Sequence, residues 1–241
     1  MTYRIALVQK GECAVYGALA GLRDIAPIEL RQVAVAHPAQ MREAMTACDA
    51  AFTLFDSEDD FSQALQAQHD GLPPLVVDFS PVLPAVFART HESLARAGVE
   101  LAGVQSAAGG TLRLYADTAL QSREDLLAVL RRAAHSIHFT GAAGTSKAMA
   151  TIERLLFAAS SAASAEAIAL ATHAGLDARA TRELLAKGSG ANEVLASGVH
   201  CTGAAAVQAI ERGQDLARPH QYPLPLCVAA KVFHQSQGAC A

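Results

Sequence analysis

The sequence predicts an α/β domain with a mostly parallel sheet over residues 1–142, followed by an all-helical domain over residues 143–241, joined by one long helix. Three observations carry this. Up to Phe139, short apolar runs alternate with amphipathic helical patterns. From Thr145 onward every periodic segment is helical. Between the two lies Gly141–Gly175, GAAGTSKAMATIERLLFAASSAASAEAIALATHAG, which opens with paired glycines and then runs without Gly or Pro. At ~1.5 Å per residue its helix is about 40 Å long, more than one small lobe needs.

The elements follow in order. Tyr3–Val8 is an apolar run that reads as a buried strand, with a turn at Gln9–Gly11 and a helix from Ala14 to Leu22. Ile28–Ala36 alternates as a half-buried strand, and Pro38 opens a helix to Thr46. Ala50–Phe55 is a strand, and Ser57 caps a helix over Asp60–Gln68. Pro74–Asp78 is a strand and Pro84–Ala97 a helix. Val99–Val104 and Thr111–Tyr115 are strands, Glu124–Ala134 is a helix capped by Ser122, and Ile137–Phe139 is the last strand. Thr145 or Ser146 is the expected cap of the long helix, whose apolar stripe is Ile152, Leu155, Leu156, Ala159, Ala163 and Ala167. After Gly175, Asp177 caps a helix that ends near Lys187, and shorter helices follow near Asn192–Ser197, Ala204–Arg212 and Leu226–Gln235.

Composition excludes several classes. The formal net charge is −4, and Lys and Arg do not cluster, so no electrostatic case exists for nucleic acid. No uninterrupted apolar run reaches the roughly 18 residues that cross a bilayer. MTYRIALVQKGE lacks the features of a signal peptide. Cys13, Cys48, Cys201, Cys227 and Cys240 are scattered, which suits reduced thiols and a cytoplasmic location. His135 and His138 lie three apart at a strand and point to opposite faces, and His200-Cys201 lacks ligand spacing, so no metal site is expected.

Asp78-Phe-Ser-Pro, AGVELAGVQSAAGGTL at 97–112, GAAG at 141–144 with the long helix, AGLDARATRELLAKGSG at 174–190 and YPLPL at 222–226 stand in one order and spacing. That set resembles the β-hydroxyacid dehydrogenase family, which includes 3-hydroxyisobutyrate dehydrogenases, tartronate semialdehyde reductases and imine reductases. The resemblance is good from residue 74 to 190 and poor before that. It implies a Rossmann-like domain binding NAD or NADP, a helical domain beyond a long helix, a small hydroxy acid, carbonyl or imine substrate, and a homodimer. The dimer would bury the small-residue face of the long helix at Ser160, Ala163, Ser164 and Ala167.

The chain departs from the family pattern at both ends of the site. Where the family has G-x-G-x-x-G, this sequence has Gln9-Lys10-Gly11-Glu12-Cys13-Ala14, and only Gly11 remains. Side chains at positions 9 and 12 oppose the close backbone approach to a diphosphate that those glycines permit. The family lysine falls on Ala150, and its Asn pair on Glu153 and Arg154. Lys147 lies one turn earlier and shares a helical face with Ala150, Thr151 and Arg154.

The candidate catalytic residues are therefore Lys147 as an acid, Arg154 as a carboxylate clamp and Ser106 as a hydroxyl donor, with Gly11, Ser80 and Gly144 as cofactor contacts. Lys147 and Arg154 equally fit a solvated helix face, and Ser106 a turn serine. Three function classes follow. One is a nicotinamide-dependent oxidoreductase with a degenerate cofactor site. The others are a cofactor-independent lyase or isomerase on a small carboxylate, and a non-catalytic dimeric binding protein.

Overall fold

The computed structural model describes residues 3–10, 17–19, 28–34, 45–46, 48–66, 71–108 and 112–238. The predicted helices Ala14–Leu22 and Pro38–Thr46 fall largely outside these, although residues 17–19 are helical. The chain divides into two compact units, the first running through Ala150 and the second from Thr151, with Ala108 grouped with the second.

The first unit is built on strands β1 (Tyr3–Lys10), β2 (Ile28–Ala34), β3 (Ala50–Phe55), β4 (Leu75–Asp78), β5 (Glu100–Ser106), β6 (Arg113–Asp117) and β7 (Ser136–Gly141). They form one sheet in the order β2-β1-β3-β4-β5-β6-β7. Every pairing is parallel except β5 with β6. The apolar runs are continuous because both faces are covered. In β1, Ile5, Ala6, Leu7 and Val8 are all at most 1 % exposed.

Alternate residues then feed opposite cores. Ile5, Leu7, Phe52 and Val77 pack with Leu126, Leu127 and Leu130 of helix α3 (Glu124–Ala133). Ala6, Val8, Ala51 and Val76 pack with Phe61 of α1 (Glu58–Gln66) and with Phe87 and Leu94 of α2 (Pro84–Arg96).

Four strands run past their expected ends, among them β5, which ends at Ser106 and not Val104, and β7, which ends at Gly141 and not Phe139. β1 continues through Gln9 and Lys10, which pair with Leu54 and Phe55 of β3 instead of turning. The ladder extends because both neighbouring strands offer partners as far as Gln9. β6 ends at Asp117, past the expected Tyr115. Chain order reverses between β1 and β3, which makes their carboxyl ends the place where an open α/β sheet parts.

Helix α4 (Thr145–His173, 29 residues) crosses the division between the units. The second unit adds α5 (Ala178–Leu185), α6 (Glu193–Ser197), α7 (Gly203–Ala217) and α8 (Pro225–Gly238). Asp177 caps α5 by accepting from the Ala180 N–H at 2.8 Å, and Asn192 caps α6 through the Leu195 N–H at 3.0 Å. The unit's core gathers Ala158, Ala162, Ala206, Ile210 and Ala230. The ring of His234 bonds the Ala158 carbonyl at 2.9 Å.

The buried side of α4 is not the predicted stripe. Ile152 and Leu156 are 49 % and 64 % exposed, while Lys147, Ala150, Ala158, Ser161, Ala162 and Ser164 are buried. Small and hydrogen-bonded side chains let the helix lie close to its own units, and the larger apolar ones face out. Ser164, expected on the outward face, instead accepts a 3.2 Å hydrogen bond from Asn192. By length and mean hydropathy (1.5) α4 is apolar enough to cross a membrane, although no uninterrupted apolar run in the sequence is. Ser161 on the same helix accepts from the Cys201 N–H at 3.0 Å.

Candidate functional site

Polar residues stand at the carboxyl ends of otherwise apolar strands: Thr53 in β3, Asp78 closing β4, Gln105 in β5 and Asp117 closing β6. All four are at most 3 % exposed. Buried polar groups persist only when paired, and here the first turn of α4 supplies many of the partners.

Lys147 is 1 % exposed, against the reading of a solvated helix face. Its ammonium donates to Asp78 Oδ2 at 2.7 Å, to the Asp78 carbonyl at 2.8 Å and to the Ser80 carbonyl at 3.0 Å. It also lies 5.1 Å from the centroid of the Phe87 ring. The other Asp78 oxygen, Oδ1, accepts from Thr53 Oγ1 at 3.0 Å and Ser80 Oγ at 2.6 Å. The Ser80 N–H donates to Asp78 Oδ2 at 3.0 Å. Gln105 Nε2 bonds the carbonyls of Phe79 (2.7 Å) and Ser80 (2.8 Å). This is a dry ion pair with its surrounding lone pairs met, the condition under which a buried pair is tolerated.

The expected helix cap is replaced. Thr145 Oγ1 donates backwards to the Ala142 carbonyl at 2.7 Å, and Ser146 Oγ is buried without a partner. The start of α4 is held instead by Asp117. Its Oδ2 accepts from the N–H groups of Gly103 (2.7 Å) and Gly144 (3.0 Å), and its Oδ1 from the N–H of Ser146 (3.0 Å). The carboxylate thus meets the positive end of the helix and ties it to β5. Gly144 has φ +86°, a backbone state that favours glycine.

Gly103 must lack a side chain for another reason. A Cβ there would stand 2.6 Å from Ser146 Oγ and 2.8 Å from Asp117 Oδ2. Gly103→Ala is expected to destabilise the protein by about 1–3 kcal/mol, as overpacking does. A shift of the urea midpoint at unchanged slope checks this, and an unchanged midpoint refutes it.

The sequence-derived candidates fare as follows. Lys147 and Ser80 lie together, Ser80 with its hydroxyl donating to Asp78 and accepting from the Phe55 N–H at 2.9 Å. Gly144 spends its N–H on Asp117. Ser106 is half-buried at the end of β5. Arg154 is half-buried and belongs to the second unit. Gly11 lies outside the described residues. Lys10, at the end of β1, pairs with Asp60 at 2.5 Å, and that bond holds the Asp60 carboxyl below its ordinary range. Glu153 Oε2 accepts from the Ala108 N–H at 2.8 Å.

Sequence reasoning missed Asp117, and missed Asp78 as the partner of Lys147. The signal was present as acidic residues closing apolar strands, LVVD and RLYAD.

A dinucleotide diphosphate needs open N–H groups at a helix start or an open cation. The turn after β1, residues 11–16, lies outside the described residues, and the two lysines nearest the strand ends, Lys10 and Lys147, are both ion-paired. Among the described residues no group of three His, Cys, Asp or Glu is arranged to hold a metal.

No protein-family profile matches the sequence, and no curated protein matches it. Solved structures do. Mycobacterium tuberculosis 3-hydroxyisobutyrate dehydrogenase, solved with L-serine, superposes with a TM-score of 0.79 at 17 % identity, over 99 % of this chain and 94 % of that one. The 3-hydroxyisobutyrate dehydrogenase of Salmonella typhimurium gives 0.73 at 19 % identity, over 98 % and 95 %. Psf3, in complex with NADP+ and 2-OPP, gives 0.70 at 14 % identity, over 98 % and 95 %. The chain therefore has the fold of the 3-hydroxyisobutyrate dehydrogenases, a mostly parallel sheet domain followed by helices.

Proposed function

We propose that this protein is an oxidoreductase-like protein acting on a small hydroxy acid, carbonyl or imine compound, with NAD or NADP held weakly. The observation that carries the first half is the fold likeness, which spans 98–99 % of this chain and includes a protein in complex with NADP+. The observation behind the second half is that only Gly11 remains of the phosphate-loop glycines in Gln9–Ala14 and that the Lys10 ammonium is paired with Asp60. In this reading Arg154, within the second unit, is a carboxylate clamp whose planar guanidinium matches two oxygens at once. Ser106, within the first unit, is a hydroxyl donor. Lys147 is carried as the counter-ion of Asp78, not as a proton donor, because its donors are spent on Asp78 and Ser80.

A cofactor-independent enzyme on a small carboxylate, or a non-catalytic binding protein, is the second reading. It is favoured by the same internal neutralisation of Lys147. Titration of NADH and NADPH into purified protein, followed by nucleotide fluorescence, separates the two. A dissociation constant of about 10 μM to 1 mM is expected, roughly −7 to −4 kcal/mol. Low-micromolar binding or tighter overturns the weak-site reading, and no binding at millimolar nucleotide selects the second. The remaining parts of the proposal are a homodimer, no nucleic-acid partner at net charge −4, no membrane partner and a cytoplasmic location.

A further inference from the structure

We propose that the first turn of α4 is an oxyanion-binding site whose resident anion is the chain's own Asp117, and that a small free carboxylate enters it only when Asp117 is removed. The three N–H donors come from two distant segments, Gly103 on β5 and Gly144 with Ser146 at the helix start, and they converge on one carboxylate at 2.7–3.0 Å. A further hydroxyl lies in the same turn. The Ser146 hydroxyl is wholly buried and has no partner. It lies 2.6 Å from the point where a Gly103 Cβ would stand, and Asp117 Oδ2 lies 2.8 Å from that same point. The hydroxyl and the carboxylate thus both border the space beside the Gly103 Cα.

Charge supports the same conclusion. Lys147, the cation on this turn, is neutralised by Asp78 at 2.7 Å. The helix start and its oriented amides are left as the positive partner of Asp117. With the carboxylate gone, buried N–H groups lose their acceptor, and a buried donor without an acceptor is costly. Truncation of aspartate at Cβ removes a group with the size and charge of formate, so formate is the ligand that refills the space. Acetate carries one methyl too many for it. In the intact protein the positive end of α4 is closed to outside anions, so a substrate anion is held elsewhere.

The test is thermal unfolding of wild type, Asp117→Ala and Asp117→Asn in sodium formate, sodium acetate and sodium chloride at equal ionic strength. Asp117→Ala should melt well below wild type and regain about 3 °C or more in formate over chloride, with less in acetate. Wild type and Asp117→Asn should show no formate-specific rise, since in both a side chain fills the space. Equal melting of Asp117→Ala in formate and chloride, or an equal formate-specific rise in wild type, overturns the proposal. Should Asp117→Ala be recovered only as aggregate, its refolding yield from urea takes the place of melting. A higher yield in formate supports the site, and equal yields in formate and chloride overturn it.

Discussion

Lys147→Ala is expected to destabilise the protein by about 3–5 kcal/mol, because it strands the Asp78 carboxylate in a dry interior. Both side chains of the pair are 0 % exposed, and the ammonium bridges Asp78 with the Ser80 carbonyl. The loss belongs to the uncompensated charge more than to the pair itself. A second variant follows from that distinction. Lys147→Met combined with Asp78→Asn removes both charges, keeps the bulk, and leaves an amide for Thr53 and Ser80 to bond. It should recover most of the lost stability, to within about 1–2 kcal/mol of wild type. Urea unfolding of the three proteins measures this. If Lys147→Ala unfolds at the wild-type midpoint while losing ligand turnover, the ammonium is a reacting group and its structural assignment fails.

The second unit is expected to bind its counterpart on another copy of the chain, giving a species near twice 25.1 kDa. The reason is a shortage of core. Among the described residues from Thr151 onward, the buried hydrophobics larger than alanine are Val194, Leu195 and Ile210. Leu156 (64 %), Leu170 (71 %), Leu184 (72 %), Leu226 (82 %) and Val232 (62 %) remain exposed in the same unit. A groove of about 360 Å³ between α4 and α8, floored by Ala159, Ala163 and Ala230, has Leu226 in its wall. Small residues there admit a helix closely, and each leucine withdrawn from water contributes about 1.5–3 kcal/mol. Leu156→Lys with Leu226→Lys should therefore raise the dimer dissociation constant by roughly 100-fold or more. Sedimentation velocity at micromolar protein checks it, and a wild-type chain that sediments as a single 25 kDa species refutes the dimer.

The architecture was legible because its signals are local. Continuous apolar runs such as Ala50–Phe55 mark strands buried on both faces, and the long stretch without Gly or Pro after Gly144 marks α4. Asp177 caps its helix as read, since a cap and its N–H lie three residues apart. The reading of Lys147 on a solvated face of α4 failed for a related reason. Periodicity groups residues by side but does not say which side a neighbour covers. The Ile152–Leu156 side is apolar and exposed, while the Lys147–Ala150 side is polar and buried.

The sequence by itself determined the order of strands and helices, the long helix at Thr145 and the loss of the phosphate-loop glycines around Gly11, all properties of adjacent residues. Only the tertiary structure decided what the charged residues do. Lys147 meets a carboxylate 69 positions away, and the cap of α4 comes from Asp117, 29 positions before Ser146. Nothing local could override the expectation that Thr145 or Ser146 caps the helix. A buried carboxylate must find donors wherever the chain brings them, and the sheet sets Asp78 and Asp117 on the strands either side of Gly103, beside the first turn of α4.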